Sequence, residues 1–534
     1  MNVPSLFSII TPVYAPPMRA LDKCVESVLA QRFGDWEWCV VDDASPDPAV
    51  PERLRELASR DPRVRLDERS ENGGIVAASN DALALASGTF VAFLDHDDEL
   101  EPDALLAMAE LIESEPDLDY AYSDEWVWSA GDRRFVRMFK PGWSPERLRA
   151  QNYANHLSVM RRSLVVEVGG FREGFDGAQD HDLVLRVGER ARVVRHLPKP
   201  LYRWKASPGS TVGDPEAKEY AFEAGVRAVR EHCERVGIDA EVEHGPSKGI
   251  YRVRRHLVEE PLVSVVIPTN APTLLIDGVE HDLVCDVVRD LVERTDYSNI
   301  EILIVPDPQT ARPPLVAARE IAPGKVRILD PVPRPFSFSR KSNVGAAYAR
   351  GEFLLFLNDD VKVHEADWLG SLVAIAREPG VGAVGPMLLF PDGTIQHAGV
   401  FAWHGPGHIG FGAPAGDLGP WGMYAANREV LATTGACLLS PARVFDEVGG
   451  FTLQLPGNWN DVDYCLKLAD AGYRVVWTPQ AVLTHYESAT RDPEVLHLER
   501  ISLWGRWYRQ LVNDPYFTPS ILPVGVSWPM EPHR

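Results

Sequence analysis

A chain of 534 residues, 45% of them apolar, holds material for two sizeable hydrophobic cores and predicts two to four domains. Its formal net charge of −23 excludes a protein whose work is to coat nucleic acid, which needs a basic surface. Cys24, Cys39, Cys233, Cys285, Cys437 and Cys465 are scattered through apolar runs without a C-x-x-C pair, so buried thiols of a reducing compartment are expected rather than a disulfide or zinc framework.

Met1-Asn2-Val3-Pro4-Ser5 leads straight into an apolar strand pattern, with no basic n-region and no cleavable apolar stretch. No run approaches the ~18–20 apolar residues of a membrane helix. A cytoplasmic protein is expected, soluble or docked peripherally at the inner face of the cell membrane. After Phe7-Ser8-Ile9-Ile10-Thr11-Pro12, the residues Leu21, Val25, Val28 and Leu29 fall on one helical face, and residues 36–41 supply the next strand. Asn72-Gly73-Gly74-Ile75 lacks G-x-G-x-x-G and follows no clear strand, so it is not read as a dinucleotide-binding turn. Residues 90–94 form a continuous apolar run that ends in Asp95-His96-Asp97-Asp98. Such a run reads as a strand buried on both faces, and its acids stand at the carboxyl edge of a parallel sheet, where these sheets bind ligands. Val168-Gly169-Gly170-Phe171 reads as a turn, followed by Gln179-Asp180-His181-Asp182 and a helical pattern through Leu183, Val184 and Val187. Asp180 therefore stands at or near a helix N-terminus, a place that suits an N-cap or, beside an acidic metal site, a general base.

Everything then occurs a second time. A helical stretch from residue 216 to 236 and the charged Arg252-Val253-Arg254-Arg255 lead to a domain boundary near 250–260, dividing the chain into 1–250 and 251–534. Val263-Ser264-Val265-Val266-Ile267-Pro268 answers the first strand, and residues 300–305 the second. Residues 353–357 run into Asn358-Asp359-Asp360, and Val448-Gly449-Gly450-Phe451 precedes Asn460-Asp461-Val462-Asp463. The period is too long for a solenoid, so each copy is expected to be a whole α/β domain with a mostly parallel central sheet. His485 follows a short strand pattern. Leu498, Ile501, Leu503, Trp504, Trp507 and Tyr508 mark a helix near the end, packed on the second domain or docked on a membrane.

Carboxylates at a strand end suit a hard cation such as Mg²⁺ or Mn²⁺, with phosphates completing its shell. A single D-x-D is usually a solvated turn; matched copies with matched flanks point to Asp97 and Asp360 as metal ligands, with His485 joining Asp360.

At this point the residues match a family. Asp42-Asp43-Ala44-Ser45, Leu94-Asp95-His96-Asp97-Asp98, Tyr122-Ser123-Asp124-Glu125, Phe139-Lys140-Pro141 and Gln179-Asp180-His181-Asp182 carry the resemblance in the first half. Phe336-Ser337-Phe338-Ser339, Leu357-Asn358-Asp359-Asp360, Gln396-His397-Ala398-Gly399, Asp461-Val462-Asp463 and His485-Tyr486-Glu487-Ser488 carry it in the second. Both halves resemble glycosyltransferase family 2, the inverting GT-A enzymes that use nucleotide-sugars. The tandem is similar to rhamnosyltransferase-like proteins of bacterial O-antigen and surface polysaccharide synthesis. The resemblance implies a nucleotide-diphospho-sugar donor and a glycan or lipid-linked glycan acceptor. It implies Asp42 and Asp43 at the nucleobase, Asp95 and Asn358 on the ribose side, and Asp97 and Asp360 at the Mg²⁺ or Mn²⁺. Thr11, Pro12, Pro268, Asp307 and Asp359 join the donor-binding set, and Asp180 and Asp461 are the implied bases. Two departures stand out. Pro306 replaces Asp42 in the second copy, and a count of nine residues from Val194 and from Val476 sets Arg203 against His485. There Arg203 either meets phosphate or pairs with a nearby carboxylate. Two active sites are expected; the alternative is one catalytic domain joined to a silent, carbohydrate-binding copy.

Overall fold

The computed structural model describes residues 5–129, 133–205, 219–276, 278–403, 405–486 and 495–518. Glu487 and Ser488, the first residues of the helix expected from 216, and the proline-containing end after 518 lie outside the described residues. The chain divides into two units, Met1–Trp143 with Leu148–Val253, and Ser144–Arg147 with Arg254–Arg534.

In the first unit the apolar runs form strands because both faces of the sheet are covered. Phe7, Ile9, Trp36, Trp38 and Val40 pack on one side with Leu21, Val25 and Val28. Ile10, Cys39, Val41 and Val91 pack on the other with Val76, Ala82 and Leu83. Helix Met18–Leu29 makes the crossover, although Leu29, predicted on its buried face, is exposed. Strands Phe7–Val13, Trp36–Asp42, Val64–Glu68 and Phe90–Phe93 are parallel neighbours, with Phe7 opposite Trp36 and Phe90. The sheet then turns mixed. Ser158–Arg161 lies antiparallel to Phe90–Phe93, and beyond it come Leu118–Ser129, Val193–Trp204 and the short Glu99–Leu100. An antiparallel neighbour needs no crossover helix, so the strand–helix alternation seen in the sequence stops there.

The second unit repeats this order strand for strand: Val326–Ile328, Ile300–Pro306, Val263–Thr269, Phe353–Leu357, Cys437–Pro441, Val381–Leu389, Arg474–His485 and Val361–Val363. Its core gathers Val265, Ile267, Ile302, Ile304 and Leu355 against Val284, Val288 and Leu291 of helix Leu283–Glu293. Because the three central parallel strands of each unit end at one edge, Pro12, Asp42-Asp43 and Asp95–Asp98 arrive together in the first. Pro268, Asp307 and Asn358–Asp360 do so in the second. The charged segment before the boundary is itself ordered, as Ala240–His244 and Tyr251–Arg255 pair in a two-stranded sheet. All six cysteines are free and buried.

Candidate active site

In the second unit, strand Phe353–Leu357 is buried throughout and releases Asn358, Asp359 and Asp360 at its end. His485, the last residue of strand Arg474–His485, pairs in register with Val361 and so reaches the same place from the other side. Its Nε2 lies 3.1 Å from Asp360 Oδ1. That oxygen is buried and receives no hydrogen bond. His485 Nδ1 lies 2.8 Å from Gln396 Oε1, an acceptor only, so Nδ1 carries a proton and donates. A histidine oriented by a second partner beside an unsatisfied carboxylate oxygen has the form of a metal-ligand pair. Burial pushes Asp360 up, and the charge and contacts of His485 outweigh it and hold the carboxyl low. Asp359 does not face that oxygen: Thr269 Oγ1 donates to it, and burial, then the charge of Asp360, push its carboxyl up to about 7. Asp461 lies in the first turn of helix Asn460–Asp470. Gly435 N donates to its Oδ2 at 2.8 Å, and Asn358 N donates to the neighbouring Ala436 O at 2.9 Å, so one short loop joins the helix acid to the strand-end acids.

The first unit builds its counterpart with different partners. Asp97 has no hydrogen bond or ion pair among the described residues, whereas Asp98 is buried and accepts from Tyr202 Oη at 2.8 Å and Lys205 N at 2.9 Å. His156, just ahead of strand Ser158–Arg161, enters this group. Its Nδ1 is 3.1 Å from Glu125 Oε2 and its Nε2 3.9 Å from Asp95 Oδ2, and its ring stacks on Tyr202 and Trp204. Burial pulls its pKa down, but the hydrogen bond and charge of Glu125, with the charges of Asp95 and Asp98, raise it to about 9. Asp180, in the first turn of helix Gln179–Gly188, accepts from Gln179 Nε2 at 3.1 Å. Burial, then Asp95, push its carboxyl up to about 6, against the pull of His156.

Several expectations are corrected here. Thr11 is fully buried and its Oγ1 accepts from Trp38 Nε1 at 2.9 Å, so its hydroxyl braces the sheet. Asp43 accepts from Gly73 N at 2.8 Å on one carboxylate oxygen and from Gly74 N at 2.9 Å on the other, and Arg69 Nε lies 3.0 Å from the first. It thereby shapes the turn that opens helix Gly74–Leu85, which does follow a strand, Val64–Glu68. Asp42 keeps one buried oxygen without a partner and remains suited to a base N–H. Pro12 carries the carbonyl that accepts from His96 Nδ1 at 3.1 Å, and Pro268 is buried in its strand. Asp307 pairs with Lys341 Nζ at 2.9 Å, a lysine the sequence reading passed over.

The largest correction concerns Arg203. Ladder registers align the copies: Glu99 faces Arg203 and Leu100 faces Tyr202, while Lys362 faces Thr484 and Val363 faces Leu483. Since Glu99 answers Lys362, the counterpart of Arg203 is Thr484, and Trp204 stands where the second copy has His485. The count from Val194 failed because Val194 pairs as Val475 does, one residue earlier than assumed. Arg203 instead binds Glu101 at 2.6 Å, under the ring of Phe135. His156 left no trace in the sequence, because a lone histidine before a strand matches no spacing rule.

A family model for "Glycosyl transferase family 2" matches residues 8–169 and 279–398, more than half of the chain and part of each copy. The chain is 40% identical over 532 residues to the uncharacterized protein y4gI of Sinorhizobium fredii, covering 97% of this chain and 57% of that one. It is 38% identical over 528 residues to the O-antigen biosynthesis protein RfbC of Myxococcus xanthus, covering 97% of this chain and 40% of that one. The chain thus spans about half the length of these relatives. The crystal structure of S. aureus TarS 1-349 aligns with 42% of this chain and 64% of its own at 22% identity and a TM-score of 0.35, a likeness from which neither function nor ligand transfers. With the strand-end acids, the helix acids and the family match in both halves, the chain belongs to glycosyl transferase family 2.

Proposed function

We propose that the protein transfers sugars from nucleotide-diphosphate donors to a growing bacterial surface glycan, with inversion at the anomeric carbon and one active site in each domain. The observation that supports this best is the shared plan of the two copies. Each has acids at the end of the strand next to the first one, and a further acid in the first turn of the helix after the Gly-Gly-Phe turn. The relation to an O-antigen biosynthesis protein supports the glycan acceptor, lipid-linked or free.

In the second site Asp461 takes the proton of an acceptor hydroxyl as that oxygen bonds to the anomeric carbon. The bond from that carbon to the diphosphate oxygen breaks, and its electron pair leaves with the diphosphate. Asp180 does the same in the first site. Asp42 receives the nucleobase, with Asp95 and Asn358 on the ribose side. Asp360 and His485 fit Mg²⁺ or Mn²⁺, because an orphaned carboxylate oxygen and an oriented imidazole nitrogen face one another. Asp97, unpartnered, is the candidate in the first site. A bound cation would neutralise the leaving diphosphate. Trp204 at the place of His485 is the one observation that favours a silent first copy.

Product analysis with Asp180→Asn and Asp461→Asn separates the readings. Each substitution keeps the side chain's shape and removes its basicity, which should cost its own transfer at least ~10²-fold while donor binding stays near wild type. If Asp461→Asn leaves every transfer intact, Asp461 is not a base. If only Asp180→Asn does so, the first copy is silent.

A further inference from the structure

Each copy brings a histidine to its acidic strand end from elsewhere in the chain, and the two come from different places in the fold. In the second domain it is His485, with the amide of Gln396 on Nδ1 and Asp360 and the amide of Asn358 at Nε2. In the first domain His485's place is taken by Trp204, and His156's place is taken in the second by Ala436, since Phe90 faces Arg161 as Phe353 faces Pro441. His156 is flanked by carboxylates on both nitrogens, Glu125 at 3.1 Å and Asp95 at 3.9 Å. Asp95 is the counterpart of Asn358, so at this position the first site carries a carboxylate and the second an amide, while His485 keeps its own carboxylate, Asp360, 3.1 Å from Nε2. A neutral imidazole can donate toward only one of these carboxylates, whereas a proton on each nitrogen sets one N–H on Glu125 at hydrogen-bond distance and the other toward Asp95 at ion-pair distance. A ring protonated at both nitrogens has no lone pair for a metal. Tyr202 and Trp204, stacked on the ring at centroid distances of 4.7 and 6.1 Å, fix its plane.

We propose that His156 is the fixed cation of the first site, an imidazolium held by Glu125 whose Nε2–H is presented to the diphosphate of the donor. This rests on the donor-binding reading above. It replaces Arg203, which is committed to Glu101, as the residue that sets the two sites apart. The charged and titratable groups around His156 are Glu125, Asp95 and Asp98, Tyr202, Asp180, and Lys140, whose Nζ donates to the carbonyls of Asn155 and His156. Its elevated pKa agrees with the geometry.

Calorimetric titration of the intact chain with UDP, dTDP and GDP, each in EDTA and each with Mn²⁺, tests the assignment. At least one nucleotide should bind a single site in EDTA, and His156→Gln should weaken that binding about tenfold or more, the loss of one charge-assisted contact. His485→Gln should remove only the increment that Mn²⁺ adds. Glu125→Gln keeps the ring in place and removes its partner's charge, so binding in EDTA should be lost at a lower pH than in wild type; this variant serves if His156→Gln melts early. Unchanged EDTA binding in His156→Gln, or wild-type binding at both sites only with Mn²⁺, overturns the role given to His156 and leaves the donor reading intact. Absence of binding by all three nucleotides under both conditions overturns the donor reading as well.

Discussion

Asp180 and Arg203 show how neighbours decide what a residue does. A carboxyl pushed up to about 6 binds its proton more tightly in the folded protein than in the unfolded chain, so it adds stability at acid pH and loses it as pH rises through about 6. Catalysis runs the other way, because only the ionised form takes a proton. First-site transfer should therefore rise with pH around 6 as a single titration, and Asp180→Asn should abolish that limb without lowering the melting temperature at pH 7.5. A profile flat from pH 5 to 7 would remove Asp180 from the role. Arg203 offers the opposite case. Its pair with Glu101 is half exposed, and such pairs contribute roughly 0–1 kcal/mol. Arg203→Ala should leave nucleotide binding unchanged and cost no more than that in stability by urea titration. Weakened binding would return the arginine to the site.

Among the elements, the turn that aims each helix acid is the most exacting. Asn80 donates to Phe171 O and accepts from Phe171 N, both at 2.9 Å. Asn343 does the same to Phe451, at 2.8 and 2.9 Å. One amide thus clamps each Gly-Gly-Phe turn to the helix packed against it. Gly450 has φ +60°, and a Cβ there would stand 2.8 Å from Asn343 Oδ1, so its lack of a side chain serves both the backbone and the clamp. Asn343→Ala strands a donor and an acceptor and should cost about 1–3 kcal/mol in a chemical melt. Gly450→Ala should cost at least as much, and both should reduce second-site transfer by displacing Asp461. A Gly450→Ala protein of wild-type stability would show that the turn relaxes freely. The sequence displayed the Gly-Gly-Phe turns; the clamping role of the asparagines came from the fold. The C-terminal helix His497–Val512 buries Leu503, Trp507 and Leu511, while Leu498, Ile501 and Tyr508 are exposed. Among the described residues no helix is long and apolar enough to cross a membrane.

At the scale of the whole molecule, a net charge of −23 means that carboxylates repel one another across the surface. Salt screens such repulsion over about 8 Å at physiological strength, so raising NaCl from low to 0.15 M near pH 7.5 should raise the melting temperature. A fall instead would show that favourable ion pairs such as Arg192–Asp119 outweigh the net charge. What the sequence by itself determined is what rests on local pattern and repetition: two α/β copies, buried strands ending in acids, helix acids after a glycine turn, six buried thiols, and the family resemblance. These are legible because burial writes its period into neighbouring residues and duplication writes the same text twice. The tertiary structure alone decided which distant residues meet. Strand register moved the counterpart of His485 from Arg203 to Trp204, since Val194 holds the ladder position of Val475 rather than Val476 and linear spacing does not show which residues pair. It brought His156 between Glu125 and Asp95, left Asp360 with an unsatisfied oxygen, and gave the Thr11 hydroxyl and the Asp43 carboxylate partners within the protein. Such contacts follow from pairing across tens to a hundred or more residues, and a linear pattern carries no information about which side chains that pairing sets face to face.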